Sequence, residues 1–201
     1  MNIFFLDNDP EIAASYYCNS HSSKMVLEFS EILSTNFALQ GINLGYKPTH
    51  ANHPSTKWAR ESKQNFIWFI THAFAVSAEY SKRYGKIHKS HAILEKAYEN
   101  MDKLELPDTG LTEFAIAINE HQFCRLFCPE FDSLSPVEKY REYYNYDKAA
   151  FAKWKTQPPY WFINKYTGVV DGLKYMLSSY VTTCEQKAAI RRIFHKKEIK
   201  I

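Results

Sequence analysis

The chain has 201 residues, 45% hydrophobic and 23% charged, with a formal charge of +3 at neutral pH. That is enough apolar content for one buried core, and too balanced a charge for the net sum to mark a nucleic-acid protein. Six glycines, with no G-x-G-x-x-G and no G-x-x-x-x-G-K-[ST] run, exclude the dinucleotide and P-loop phosphate cradles. Four scattered cysteines without C-x-x-C, no leader pattern and no apolar run of about 18 residues give the expectation of a cytoplasmic chain without a disulfide framework or a membrane span.

Residues 2–6 are a short apolar run, which predicts a strand or an extended segment. Asp9 as N-cap, Pro10 at the first helical position and Glu11 in the first turn predict a helix over 10–17. Ser22 or Ser23 is placed to cap a helix over 24–37, where Met25, Val26, Phe29, Ile32, Leu33 and Phe37 recur at helical spacing. Residues 40–54 contain Gly41, Gly45, Pro48 and Pro54 and read as a long loop; loops beyond about 12 residues tend to carry function. Ser55 begins a short helix through Trp58 and Arg60. Ser62 caps the longest helix, 63–84, which Gly85 closes in the left-handed conformation. Ser90 begins a helix that ends before Pro107. Residues 111–119 fit helix or strand, and 120–132 read as irregular. Ser135-Pro136-Val137-Glu138 is a capping box. A short helix over 149–154, a turn over 157–162 and two helices over 171–180 and 185–195 follow. The expected fold is mainly α, a single-domain orthogonal helical bundle. Residues 1–162 would form its core, and 163–201 a helical extension ending in Lys187, Arg191, Arg192, Lys196, Lys197 and Lys200.

His21, Lys24, Glu28 and Glu31 are spaced by three, four and three, so one helical face carries them all. A carboxylate beside a lysine and a histidine suits acid–base work, and the same four residues also suit a solvated face. The loop and short helix after it hold Lys47, His50, Asn52, His53, Lys57, Trp58 and Arg60. Cations and a helix start in a loop suit an anion, as they do a capped surface turn. Lys82, Arg83, Lys86, His88 and Lys89 crowd the helix end at Gly85. There they complement the negative terminus or form an anion cradle. Asn65, His72 and Glu79 repeat every seven residues inside an apolar helix, where buried polar groups need partners. Tyr140, Tyr143, Tyr144 and Trp154 alternate with Arg141, Lys148, Lys153 and Lys155, a pattern that suits stacked bases or ordinary aromatic packing. His50 with His53 and His88 with His91 form H-x-x-H pairs. Nothing else supports a metal, and neither a metal nor a cofactor is expected.

The motifs in order, H-x-x-K-M-x-x-E with LST over 21–35, Y-K-x-T-H-x-N-H-P and W-A-R-x-S over 46–62, R-Y-G-K-x-H-K-S over 83–90, P-V-E-x-Y-R-x-Y-Y over 136–144 and F-A-K-W-K over 151–155, resemble a family of small proteins of tailed bacteriophages. Ser22 and Ser23 stand where that family more often has apolar residues. The resemblance implies a host-cytoplasm setting, with nucleic acid, nucleotides or host defence factors as targets. The leading expectation is an enzyme acting on a nucleotide or on DNA, at a glycosidic or phosphate-linked bond. Glu28, with His21 or His50, would supply acid–base chemistry in one cleft. Lys24, Lys47, Asn52, His53, Trp58, Arg60, Asn65, His72, Arg83, Lys86 and His88 would hold substrate and phosphate there. The alternatives are a non-catalytic nucleotide or nucleic-acid binder and an inhibitor of a host protein, with no membrane partner in any case.

Overall fold

Residues 2–6 run extended through the middle of the molecule, with Ile3, Phe5 and Leu6 fully buried. They form no strand because side chains, not a neighbouring strand, take up much of their backbone bonding. Glu28 accepts from Asn2 N–H, the Tyr17 hydroxyl accepts from Phe4 N–H, and Arg141 Nε–H donates to Leu6 O. This computed structural model describes residues 1–200. Around the extended segment stand α1 (Pro10–Ser15), α2 (Asn19–Ala38), α3 (Pro54–Trp58), α4 (Lys63–Tyr84) and α5 (His91–Glu99). After them come α6 (Phe123–Phe127), α7 (Pro136–Tyr146), α8 (Tyr166–Ser178) and α9 (Cys184–Lys196). The chain is thus mainly α and forms one domain.

Local capping chemistry sets several ends. The Asp9 carboxylate accepts from Glu11 and Ile12 N–H, Ser62 accepts from Asn65 N–H, and Gly85 ends α4 at φ +66°. The Ser135–Glu138 capping box starts α7.

Other ends depart from the sequence expectation. α2 begins at Asn19, so Ser22 and Ser23 lie inside it, and Cys18 precedes it without a side-chain cap. His53, not Ser55, caps α3, because Pro54 already holds the first helical position. Residues 120–132 contain α6, whose first N–H groups, of Phe123 and Cys124, donate to the Asp147 carboxylate at 2.8 and 3.0 Å. The helix expected over 149–154 shrinks to a 3-10 turn at Lys148–Ala150, and α8 starts at Tyr166. Residues 111–119 are neither helix nor strand.

α4 is the axis of the core, with α1, α2 and α5 packed on it. α8 and α9 form a hairpin with its own small cluster of Phe123, Val170, Leu173, Ile190 and Phe194. Among the described residues no helix is long and apolar enough to cross a membrane.

Candidate functional site

Glu28 sits two turns into α2 with 11% of its side chain exposed. Its Oε2 accepts from Asn2 N–H at 3.0 Å and lies 3.5 Å from the Met1 nitrogen. Its Oε1 meets Lys24 Nζ at 3.1 Å, with the lysine otherwise in solvent. The 39–53 loop folds over the C-terminal half of the same helix. Thr35 Oγ1 accepts from Thr49 N–H at 3.0 Å, and Arg60 donates to Asn36 Oδ1, Thr56 O and Ala51 O at 2.8–3.1 Å. Of the two histidines of this loop, His53 comes near enough to feel the Glu28 charge. Burial holds the His53 imidazole below its ordinary pKa, helped by the Met1 amine and His50, while the Glu28 charge opposes the shift. His53 Nδ1 accepts from Ser55 N–H and His50 Nδ1 bonds the Thr49 hydroxyl, and Nε2 of each ring makes no hydrogen bond among the described residues. His50 holds a left-handed φ of +51°, uncommon for a residue with a side chain. Lys47, Asn52 and Lys57 are exposed on the same loop and helix.

Of the buried polar atoms on α2 and α3, Ser34 Oγ, Asn36 Nδ2 and Ser55 Oγ carry no partner among the described residues. Thr35, Asn36 and Asn2 had no part in the expected site. The cluster Ser30, Ser34, Thr35 and Asn36, polar in a helix otherwise read as apolar, is the sequence signal that marks it.

The comparisons with protein-family models, with curated proteins and with solved structures find no match.

The other expected site residues are placed elsewhere. His21 lies two turns before Glu28, stacked on Phe4 at 4.3 Å and hydrogen-bonded to the Tyr144 hydroxyl. Burial, with Lys148 and Lys24 adding to it, pushes its pKa down to about 3, so the ring is neutral. Lys148 stands over the Tyr143 ring at 4.3 Å in the same aromatic box, and burial lowers its pKa. Trp58 is 2% exposed and packs edge-on against Phe5 in the core. Asn65 staples α4 to α3 through Trp58 O and to the 111–119 segment through Thr112. His72 bonds Pro10 O and the Tyr17 hydroxyl, and burial lowers its pKa to about 4. Arg83 spends its guanidinium on Tyr17 O, Ser15 O and Glu79. These buried partners, not an external ligand, explain the seven-residue polar repeat of α4. Lys86 is exposed beyond the end of α4, and His88 Nδ1 accepts from Ser90 N–H. The residues expected to share one cleft therefore separate into the Glu28 seam and several core attachments. Among the described residues no three His, Cys, Asp or Glu side chains form a group suited to a metal ion.

Proposed function

We propose that the chain is an enzyme acting on a nucleotide or on DNA, with Glu28 as its acid–base group. One arrangement carries this reading: a nearly buried carboxylate held by Asn2 N–H, with Lys24 on its solvent side. A carboxylate so placed takes a proton from water as the water attacks a glycosidic carbon or a phosphorus. The bond to the leaving group breaks, and the proton that Glu28 has gained is passed on to the leaving group, directly or by way of His50. Lys24, Lys47 and Lys57 are point charges for phosphate oxygens, and Asn52 is a neutral donor. Infected host cytoplasm, the setting implied by the phage resemblance, contains such substrates in abundance.

The test is turnover and binding measured on a panel of nucleotides and DNA oligonucleotides. Glu28→Gln is expected to lower turnover about 100-fold to 10,000-fold while leaving binding within about threefold. Lys24→Ala and Lys57→Ala should weaken binding more than turnover. A second reading, a binder that sequesters its nucleotide, draws on a separate observation. Both Glu28 oxygens are already engaged, by Lys24 and by Asn2 N–H, so base work requires that resting arrangement to open. Binding without turnover in the unaltered protein would select this second reading.

A further inference from the structure

Between Lys63 and Glu79, α4 carries no charged side chain. Phe66, Phe69, Ile70, Ala73 and Val76 face the core, which accounts for only part of that run. The outward stripe, Ile67, Thr71, Phe74, Ala75 and Ala78, is uncharged as well. A surface helix ordinarily shows water a polar face, and one that is apolar all round is covered.

Two adjoining hollows lie along this stripe and share Phe74. The first, about 660 Å³, is walled by α1, α4 and the turn into α5, with Ile87 at its edge. The second, about 400 Å³, runs on between Phe74 and Tyr98 of α5. Ile87 is 73% and Tyr98 60% exposed, far more than apolar side chains of that size need to be. The rim is acidic: Glu11 and Glu79 border the first hollow, Glu95 and Glu99 the second. Glu79 is spent on Arg83 and Lys82, and Glu95 lies 3.7 Å from His91. Glu11 and Glu99 make no ion pair among the described residues. In a chain of net charge +3 this is a local reversal of sign.

We propose that the groove seats a cationic amphipathic helix of a partner protein. The apolar floor takes the side chains that such a helix repeats at i, i+3, i+4 and i+7, and its flanking lysines or arginines meet the glutamates. A nucleic-acid backbone or an anionic lipid surface would meet like charge at the rim, as would an acidic helix. The groove shares no residue with the Glu28 seam, so this inference stands apart from the proposed catalysis.

Fluorescence anisotropy with a labelled Leu/Lys amphipathic peptide of about five turns, and with its Leu/Glu twin of identical apolar face, tests it. The Leu/Lys peptide should bind at least about tenfold tighter, a difference of about 1.4 kcal/mol. Ile87→Asp and Tyr98→Asp, both at exposed positions, should each weaken it severalfold with the circular dichroism of the fold retained. Glu95→Lys with Glu99→Lys should reverse the order of the two peptides. Equal binding of the two peptides overturns the proposal, as does binding untouched by both aspartate variants. A concentration-dependent dimer that Ile87→Asp abolishes also overturns it, because the occupant is then a second copy of the chain.

Discussion

His21 and His72 are buried rings whose pKa values fall to about 3 and about 4. The network fixes the His72 tautomer: Pro10 O can only accept, so Nδ1 carries the hydrogen and Nε2 accepts from the Tyr17 hydroxyl. An unfolded histidine binds its proton near pH 6.5, where neither folded ring does. The contribution of both rings is therefore complete above pH 6.5. It is lost as the pH falls from there, levelling off only below the folded values. Between pH 7 and pH 5 each ring should contribute about 2 kcal/mol of lost stability. Urea unfolding across that range checks this, and His72→Gln should remove one ring's share of the slope. A slope unchanged by His72→Gln would show that the ring is charged in the fold. Sequence position separates these two helical histidines from His50 and His53 of the loop, but not which of the four would meet a ligand. A polar side chain in an apolar helix signals that a partner exists, not whether that partner is a carbonyl of the core or a substrate.

At the scale of elements, Arg83 joins the C-terminal turn of α4 to the end of α1. With 1% of its side chain exposed it donates to two α1-flanking carbonyls and to Glu79. Arg83→Met leaves those carbonyls buried without a donor and Glu79 with only the exposed Lys82, a loss expected to be about 3 kcal/mol. Chemical denaturation measures that loss, and nucleotide affinity at the Glu28 seam should survive in the folded fraction. Lost affinity with stability kept would instead make the guanidinium a ligand contact. The helix ends divide on the same ground. Asp9, Ser62, Gly85 and the Ser135–Glu138 box act within four residues of the end they set, so they were legible in the sequence. The start of α6 is made by Asp147, more than twenty residues on, and nothing in the adjacent residues announces it. The early start of α2 has no side-chain cap at all; it follows from burying His21 and Ser22 against the rest of the chain. The Glu28 face was legible as a spacing of three and four. That the 39–53 loop is fastened to the same helix by Arg60 and Thr35 is something only the fold reveals.

Across the whole molecule the structure is one large core with a smaller one attached. The α8–α9 hairpin supplies four of the five buried apolar residues of the small core, Phe123 of α6 being the fifth, and meets the rest through α6, α7 and two ion pairs. One of these is Lys197 with Asp147 at 2.6 Å, the carboxylate 5% exposed. The same carboxylate caps α6, which brings Phe123 into the small core, so a single side chain links three elements. Asp147→Ala should therefore detach more than one bond. It frees two α6 N–H groups and strands the Lys197 ammonium, a cost of about 3 kcal/mol or more. That cost falls on the attachment, not on α4 and its neighbours, because additive effects stop at residues that share partners. Hydrogen exchange on the native protein should show α8 and α9 opening at lower free energy than α2 and α4, since local stability follows the apolar area each unit buries. In Asp147→Ala the amides of α6, α8 and α9 should lose protection together, while those of α2 and α4 remain within about threefold of their original rates. If protection instead fell uniformly over the chain, hairpin and core would unfold as one cooperative unit, and the small cluster would have to be counted as part of the large one.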